Sequence, residues 1–124
     1  MIAALEPSVA STFDALAWEI ELAGARCISL DSLIGALMPN VPPEHREQLM
    51  ESMQAVDLLA QHLTGLSTFA RRMSLSVATD ISAPVDIALS EITLGALADR
   101  LSTALGGAEK GVDDGQDAGD PDLF

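Results

Sequence analysis

The sequence predicts an all-α protein: a long antiparallel helical hairpin plus a shorter third helix, two copies of which form a dimeric four-helix bundle. Three observations lead there. Apolar residues make up 48% of the chain, yet aromatics are 3% and Tyr is absent. Ala, Leu, Ile and Met must therefore fill the interior, and these suit interdigitating helices better than a pleated sheet. Two long stretches space their apolar residues alternately three and four apart, which marks a helix with one apolar seam. Prolines fall at the ends of these stretches and not inside them, where they would break the hydrogen-bond ladder.

The first helix is expected over residues 7–38, with Pro7 in a first turn whose amides lack intrahelical partners anyway. Its seam reads Val9, Phe13, Leu16, Ile20, Ala23, Cys27, Leu30, Ile34 and Leu37. Unbroken 4-3 alternation keeps one side of a helix against a partner and favours a left-handed supercoil. Gly24 and Gly35 interrupt good helix formers and mark either a bend or a close helix crossing. Pro39-Asn40-Val41-Pro42-Pro43 then ends the helix, and so short a break gives an antiparallel hairpin.

The second helix is expected over residues 43–79, opened by Pro43 and by Glu44 and Glu47 near the positive end of its dipole. Its seam is Val56, Leu59, Leu63, Leu66, Ala70, Met73 and Val77, extended backwards by Leu49 and Met53. Pro84 separates it from a third helix over residues 84–105, whose core side is Val85, Leu89, Ile92, Leu97, Leu101 and Leu105. Gly106-Gly107 supplies the stop. Helices of about 48 and 55 Å outrun a third helix of about 33 Å, so the third helix cannot cover their full length, and a second copy is favoured over it as the cover. A homodimer through Leu16, Ile20, Ala23, Cys27, Leu30, Val56, Leu59, Leu63 and Leu66 is therefore expected.

Residues 1–105 are read as one helical bundle domain and residues 106–124 as a flexible acidic tail. The tail holds Glu109, Asp113, Asp114, Asp117, Asp120 and Asp122 against Lys110, and closes on Leu123-Phe124. Over the whole chain 19 acidic residues face 6 basic ones, a formal charge of -13. Such a field repels phosphate backbones and anionic lipid, so neither nucleic acid nor a membrane is expected as partner. The start of the chain lacks a basic, then apolar, leader and no segment approaches membrane-spanning length, which leads to a cytoplasmic expectation.

Residues able to carry chemistry are few. Cys27 is the one cysteine and sits on the first seam, where a buried thiol is inert. His45 and His62 are 17 apart with no second ligand at metal spacing, so no metal and no cofactor is expected. Arg71-Arg72 concentrates basic charge on an acidic body and offers an anchor for an acidic partner, beside the plainer reading of surface ion pairs. Asp57 and Gln61 lie one turn apart on the same side of the second helix, flanking its seam. A carboxylate can hold the neighbours of a metal-bound phosphoryl site, and an amide can orient an attacking water.

Asp57-Leu58-Leu59-Ala60-Gln61, on the second arm of a long hairpin, resembles the Asp-x-x-x-Gln signature of the CheZ-type chemotaxis phosphatases. The closing Asp120-Pro121-Asp122-Leu123-Phe124 is similar to that family's acidic C-terminal docking peptide. The resemblance implies a dimer acting on a phosphorylated response regulator. Gln61 would orient the water, Asp57 would engage a lysine of the regulator, and any Mg2+ would be carried by that partner.

Three functions follow from these readings. The leading one is a non-enzymatic signalling or adaptor protein that dimerises and captures a protein partner through Arg71, Arg72, Asp122, Leu123 and Phe124. The second is the response-regulator phosphatase, with Asp57 and Gln61 as its catalytic pair. The third is a sliding-clamp-binding protein, because clamp-binding peptides often end in Leu-Phe.

Overall fold

A computed structural model describes residues 5–106 of the chain. Its elements are helix α1 (Val9–Leu37), a 3-10 turn (Met38–Asn40), helix α2 (Pro43–Ser76), and the short helices α3 (Asp86–Ser90) and α4 (Gly95–Ala104). Among the described residues there is no strand, only an isolated antiparallel bridge between Ser8 and Ser82. No helix among them is long and apolar enough to cross a membrane.

The two long helices form as their composition directs. Ser8 caps α1: its hydroxyl accepts the Ser11 amide at 3.0 Å, satisfying a donor that the helix start leaves unpaired. Pro7 thus precedes the cap instead of standing in the first turn. After α1 the 3-10 turn carries Pro39, and Arg46 bridges back to the loop. Its Nε donates to the Val41 carbonyl at 2.9 Å and its Nη2 to the Pro39 carbonyl at 3.4 Å. Those carbonyls have no helical partner, so the guanidinium serves the turn. α2 opens on Pro43 and ends three residues sooner than expected, where Val77, Thr79 and Asp80 disfavour continuation.

The expected third helix divides in two. Ile92 and Thr93 are β-branched and Gly95 follows, so the middle of this stretch has poor helix propensity. The Ser90 hydroxyl also donates to the Ile87 carbonyl at 2.7 Å, closing α3 locally. Leu94 is extended and α4 restarts after it. Gly106, at φ +99°, ends α4 in the left-handed conformation that glycine adopts without a Cβ penalty. Residues 107–124, and with them the expected acidic tail, lie outside the described residues.

Contacts gather the described chain into two units, one of residues 16–72 and one of residues 5–15 with 73–106. In the second, residues 5–8 run antiparallel to residues 81–86. Val9 donates to the Ile81 carbonyl at 2.8 Å, Ala83 to Pro7 at 3.2 Å and Val85 to Leu5 at 3.1 Å. The Leu5 amide completes the ribbon on Asp86 Oδ2 at 2.8 Å, and the Ser74 hydroxyl holds the Ala10 carbonyl at 2.9 Å. Ala15 and Leu105 are its buried apolar residues.

Candidate functional site

Residues 16–72 form a helical hairpin whose register is set by two close approaches. A Cβ built on Gly24 would stand 3.8 Å from Leu63 Cβ, and one on Gly35 would stand 3.7 Å from Met53 Cε. Both glycines thus stand at the helix crossing, where an added methyl would meet only ordinary contact. In that register Ala17 lies level with Ala70, Ile20 with Ser67, Cys27 with Ala60 and Ile34 with Met53.

These residues, with Gly24, Val56 and Leu63, are all buried or half-buried. Ala17, Ala70 and Ser67 are its most enclosed residues, at 0%, 2% and 6% exposure. Every second seam position is thus one residue later, in both helices, than the leucines suggest. The seam runs 17, 20, 24, 27 in α1 and 53, 56, 60, 63, 67, 70 in α2. Small side chains at alternate positions let two helices approach closely, and the leucines are displaced sideways.

Of the nine residues expected to form the seam, Ile20, Cys27, Val56 and Leu63 are in it, whereas Leu16, Ala23, Leu30, Leu59 and Leu66 are exposed. The exposed set is not scattered. Each stands three residues after a seam position, or four before the next one. Two antiparallel helices that share a seam carry such positions on the same side of the pair, because the twofold relating them is perpendicular to their plane. Leu37 continues the row, and Leu33 and Phe69 border it. The result is one apolar face along the hairpin.

The opposite side is mixed: Trp18 and Ile28 are exposed there, beside polar residues. Glu21 and Arg71 each follow a seam residue by one, and they meet across the pair: Arg71 Nε and Nη2 donate to the Glu21 carboxylate at 3.1 and 2.9 Å. Those hydrogen bonds hold the Glu21 carboxyl below the usual glutamate range; partial desolvation opposes the shift and the Arg71 charge adds to it. Asp57 shares this side. Gln61 Nε2 donates to Asp57 Oδ2 at 3.2 Å, and both residues are exposed. The structure thus brings the sequence-predicted pair together within one turn, on the side away from the leucines.

Arg72 is exposed at a further angle of α2, while Asp122, Leu123 and Phe124 lie outside the described residues. His45 borders an open hollow of about 310 Å³ with Val41, Gln48, Leu49 and Ser52. Among the described residues no group of His, Cys, Asp and Glu could hold a metal ion. The split between seam and face went unseen in the sequence because leucine outranks alanine and serine on hydropathy. The signal was there: Ala17, Gly24, Ala60, Ser67 and Ser74 recur at heptad spacing beside the leucines.

A family model described as a domain of unknown function, DUF8776, matches residues 8–124. No curated protein and no solved structure matches the chain.

Proposed function

The chain belongs to the DUF8776 domain family, and we propose that it is a non-enzymatic helical adaptor that pairs with a second copy and holds a protein partner. The observation that carries this reading is the exposed leucine face of the hairpin. Its large side chains are between 37% (Leu30) and 62% (Phe69) exposed. A continuous apolar face of several hundred Å² on a single chain marks an interaction surface. In this reading residues 1–105 are the dimerising body, and the acidic segment ending in Leu123 and Phe124 captures the partner. A Leu and a Phe together contribute roughly 3–5 kcal/mol if fully desolvated, before the cost of ordering the segment. Arg71 and Arg72 would anchor an acidic partner, in competition with the pairing that Arg71 makes to Glu21. Partner capture is tested by deleting residues 120–124 and comparing pull-downs with the full chain. Equal recovery of the same proteins would remove the tail from the function.

A second reading rests on Asp57 and Gln61, which present a carboxylate and an amide together on an exposed helix side. It is a CheZ-like phosphatase acting on a phosphorylated response regulator, with any Mg2+ held by the regulator. Phosphorylated receiver domains lose their phosphoryl group faster with this protein present if the reading holds, and Gln61→Ala abolishes the acceleration. Binding without acceleration returns the adaptor reading.

A further inference from the structure

We infer that the second copy seats on the face carrying Leu16, Leu30, Leu37, Leu59, Leu66 and Phe69, and that neither the intrachain seam nor the Asp57 side takes part. This rests on the dimeric reading above and assigns its surface. Ile20, Cys27, Val56 and Leu63 are spent within one chain, so they cannot also face a partner. What remains is a second apolar row on each helix, on the same side of the pair and offset in height by two residues. In the register fixed by Gly24 and Leu63, Leu66 stands within two residues of the height of Ala23, and Leu59 within two of Leu30. A copy of the same face supplies the same alternation of large and small side chains, which is what filled layers of a four-helix bundle require.

Charge selects the occupant. The protein is at -13, so two copies repel wherever acidic surface meets acidic surface. This side of the hairpin carries one acid, Glu19, and one base, Arg26, as its charged residues between Leu16 and Phe69. It is the side on which two such acidic bodies meet without net opposition. An acidic peptide gains no such advantage there. Area agrees: the exposed parts of these side chains come to roughly 600 Å² per protomer, close to the about 800 Å² a side of a standard interface.

The test is sedimentation equilibrium of the full chain and of charge variants, with helicity checked by circular dichroism. Leu30→Glu and Leu66→Glu place a charge on the face at positions that are exposed within one protomer, so the hairpin itself has no reason to unfold. Each is expected to weaken self-association by roughly 100-fold or more, while Leu66→Met leaves it within about threefold. Ile28→Glu and Leu58→Glu, equally exposed but off the face, are expected to leave the dimer intact. If instead the control variants dissociate the dimer and the face variants do not, the assigned surface is wrong and the dimeric reading stands. If the unaltered chain stays at 12.9 kDa at every concentration, both fail. A monomer that dimerises once residues 107–124 are removed would put the chain's own tail on the face, and overturns the inference as well.

Discussion

Gly24 of α1 stands directly against Leu63 of α2, with room for a Cβ that would meet the leucine at an ordinary 3.8 Å. That contact fixes the register of the hairpin, and the register determines which residues lie on each of its faces. It makes Leu63 a residue of the intrachain seam, whereas Leu66, three residues on, is turned to the side. The two leucines are therefore expected to behave differently. Leu63→Ala should destabilise the fold by about 2 kcal/mol, the lower end for a core leucine because Leu63 is only half-buried. Leu66→Ala should leave the unfolding of a dissociated protomer almost unchanged and act on self-association. Urea unfolding at low and high protein concentration separates the two effects.

Gly65 tests helix propensity alone. A Cβ added there meets nothing within 4 Å, and the position is inside α2. Gly65→Ala should raise stability by about 1 kcal/mol through backbone entropy and propensity. Gly24→Ala should gain less, since its methyl enters a crossing that is already in contact. A higher denaturation midpoint with an unchanged slope is the expected result.

Gly106→Ala should do the opposite. At φ +99° an alanine is strained whatever space surrounds it, and Leu5 Cδ1 is 3.9 Å from the added Cβ, so sterics add little. A loss of about 1 kcal/mol is expected from the backbone, read as a lower thermal midpoint.

Much of this architecture is legible in the sequence, and the misses have a common cause. The helices, the hairpin break at residues 39–43 and the glycine stop come from proline, glycine and periodicity, which act locally. The ribbon of residues 5–8 on residues 81–86 joins segments more than 70 apart through backbone hydrogen bonds, and no side-chain pattern announces it. The seam failed for a subtler reason. Heptads with apolar residues at both the third and fourth places admit two seams one residue apart, and packing distance chooses between them. Ala17, Ser67 and Ala70 won because small residues bring backbones together, a tertiary preference that outranks hydropathy. Asp57 and Gln61 were placed correctly on one side because i, i+4 geometry is intrinsic to a helix.

The N-terminal ribbon gives a local prediction. Asp86 Oδ2 accepts the Leu5 amide at 2.8 Å, from a position 81 residues further along the chain. Asp86→Ala removes the acceptor while leaving the amide open to water, so the loss should be about 1 kcal/mol or less. It should be confined to residues 5–9 and 81–86. Hydrogen exchange should speed at Val9, Ala83 and Val85 and stay unchanged at seam amides such as Leu63. Uniform acceleration across both sets would show that the ribbon is not a separate local unit.

The last prediction concerns acid. Glu21 is held below the usual glutamate range chiefly by the Arg71 hydrogen bonds. A carboxyl with a lowered pKa in the folded state stabilises that state above its unfolded pKa, about 4.3 for an ordinary glutamate. The contribution is lost as pH falls through the lower folded pKa, because the unfolded chain takes up its proton first. Glu21→Gln should therefore cost stability at pH 7, and the difference from the unaltered chain should shrink as pH is lowered towards 3. Both side chains are about two-fifths exposed, so water and salt screen the pair and the effect should be small and weaker at high ionic strength. Arg71→Ala should show the same pH dependence, since it removes the same pair from the other end. Urea midpoints for the three proteins at pH 7, 5 and 3 check this. A difference that grew towards acid would mean that Glu21 is stabilised in its protonated form, contrary to the two short hydrogen bonds it accepts.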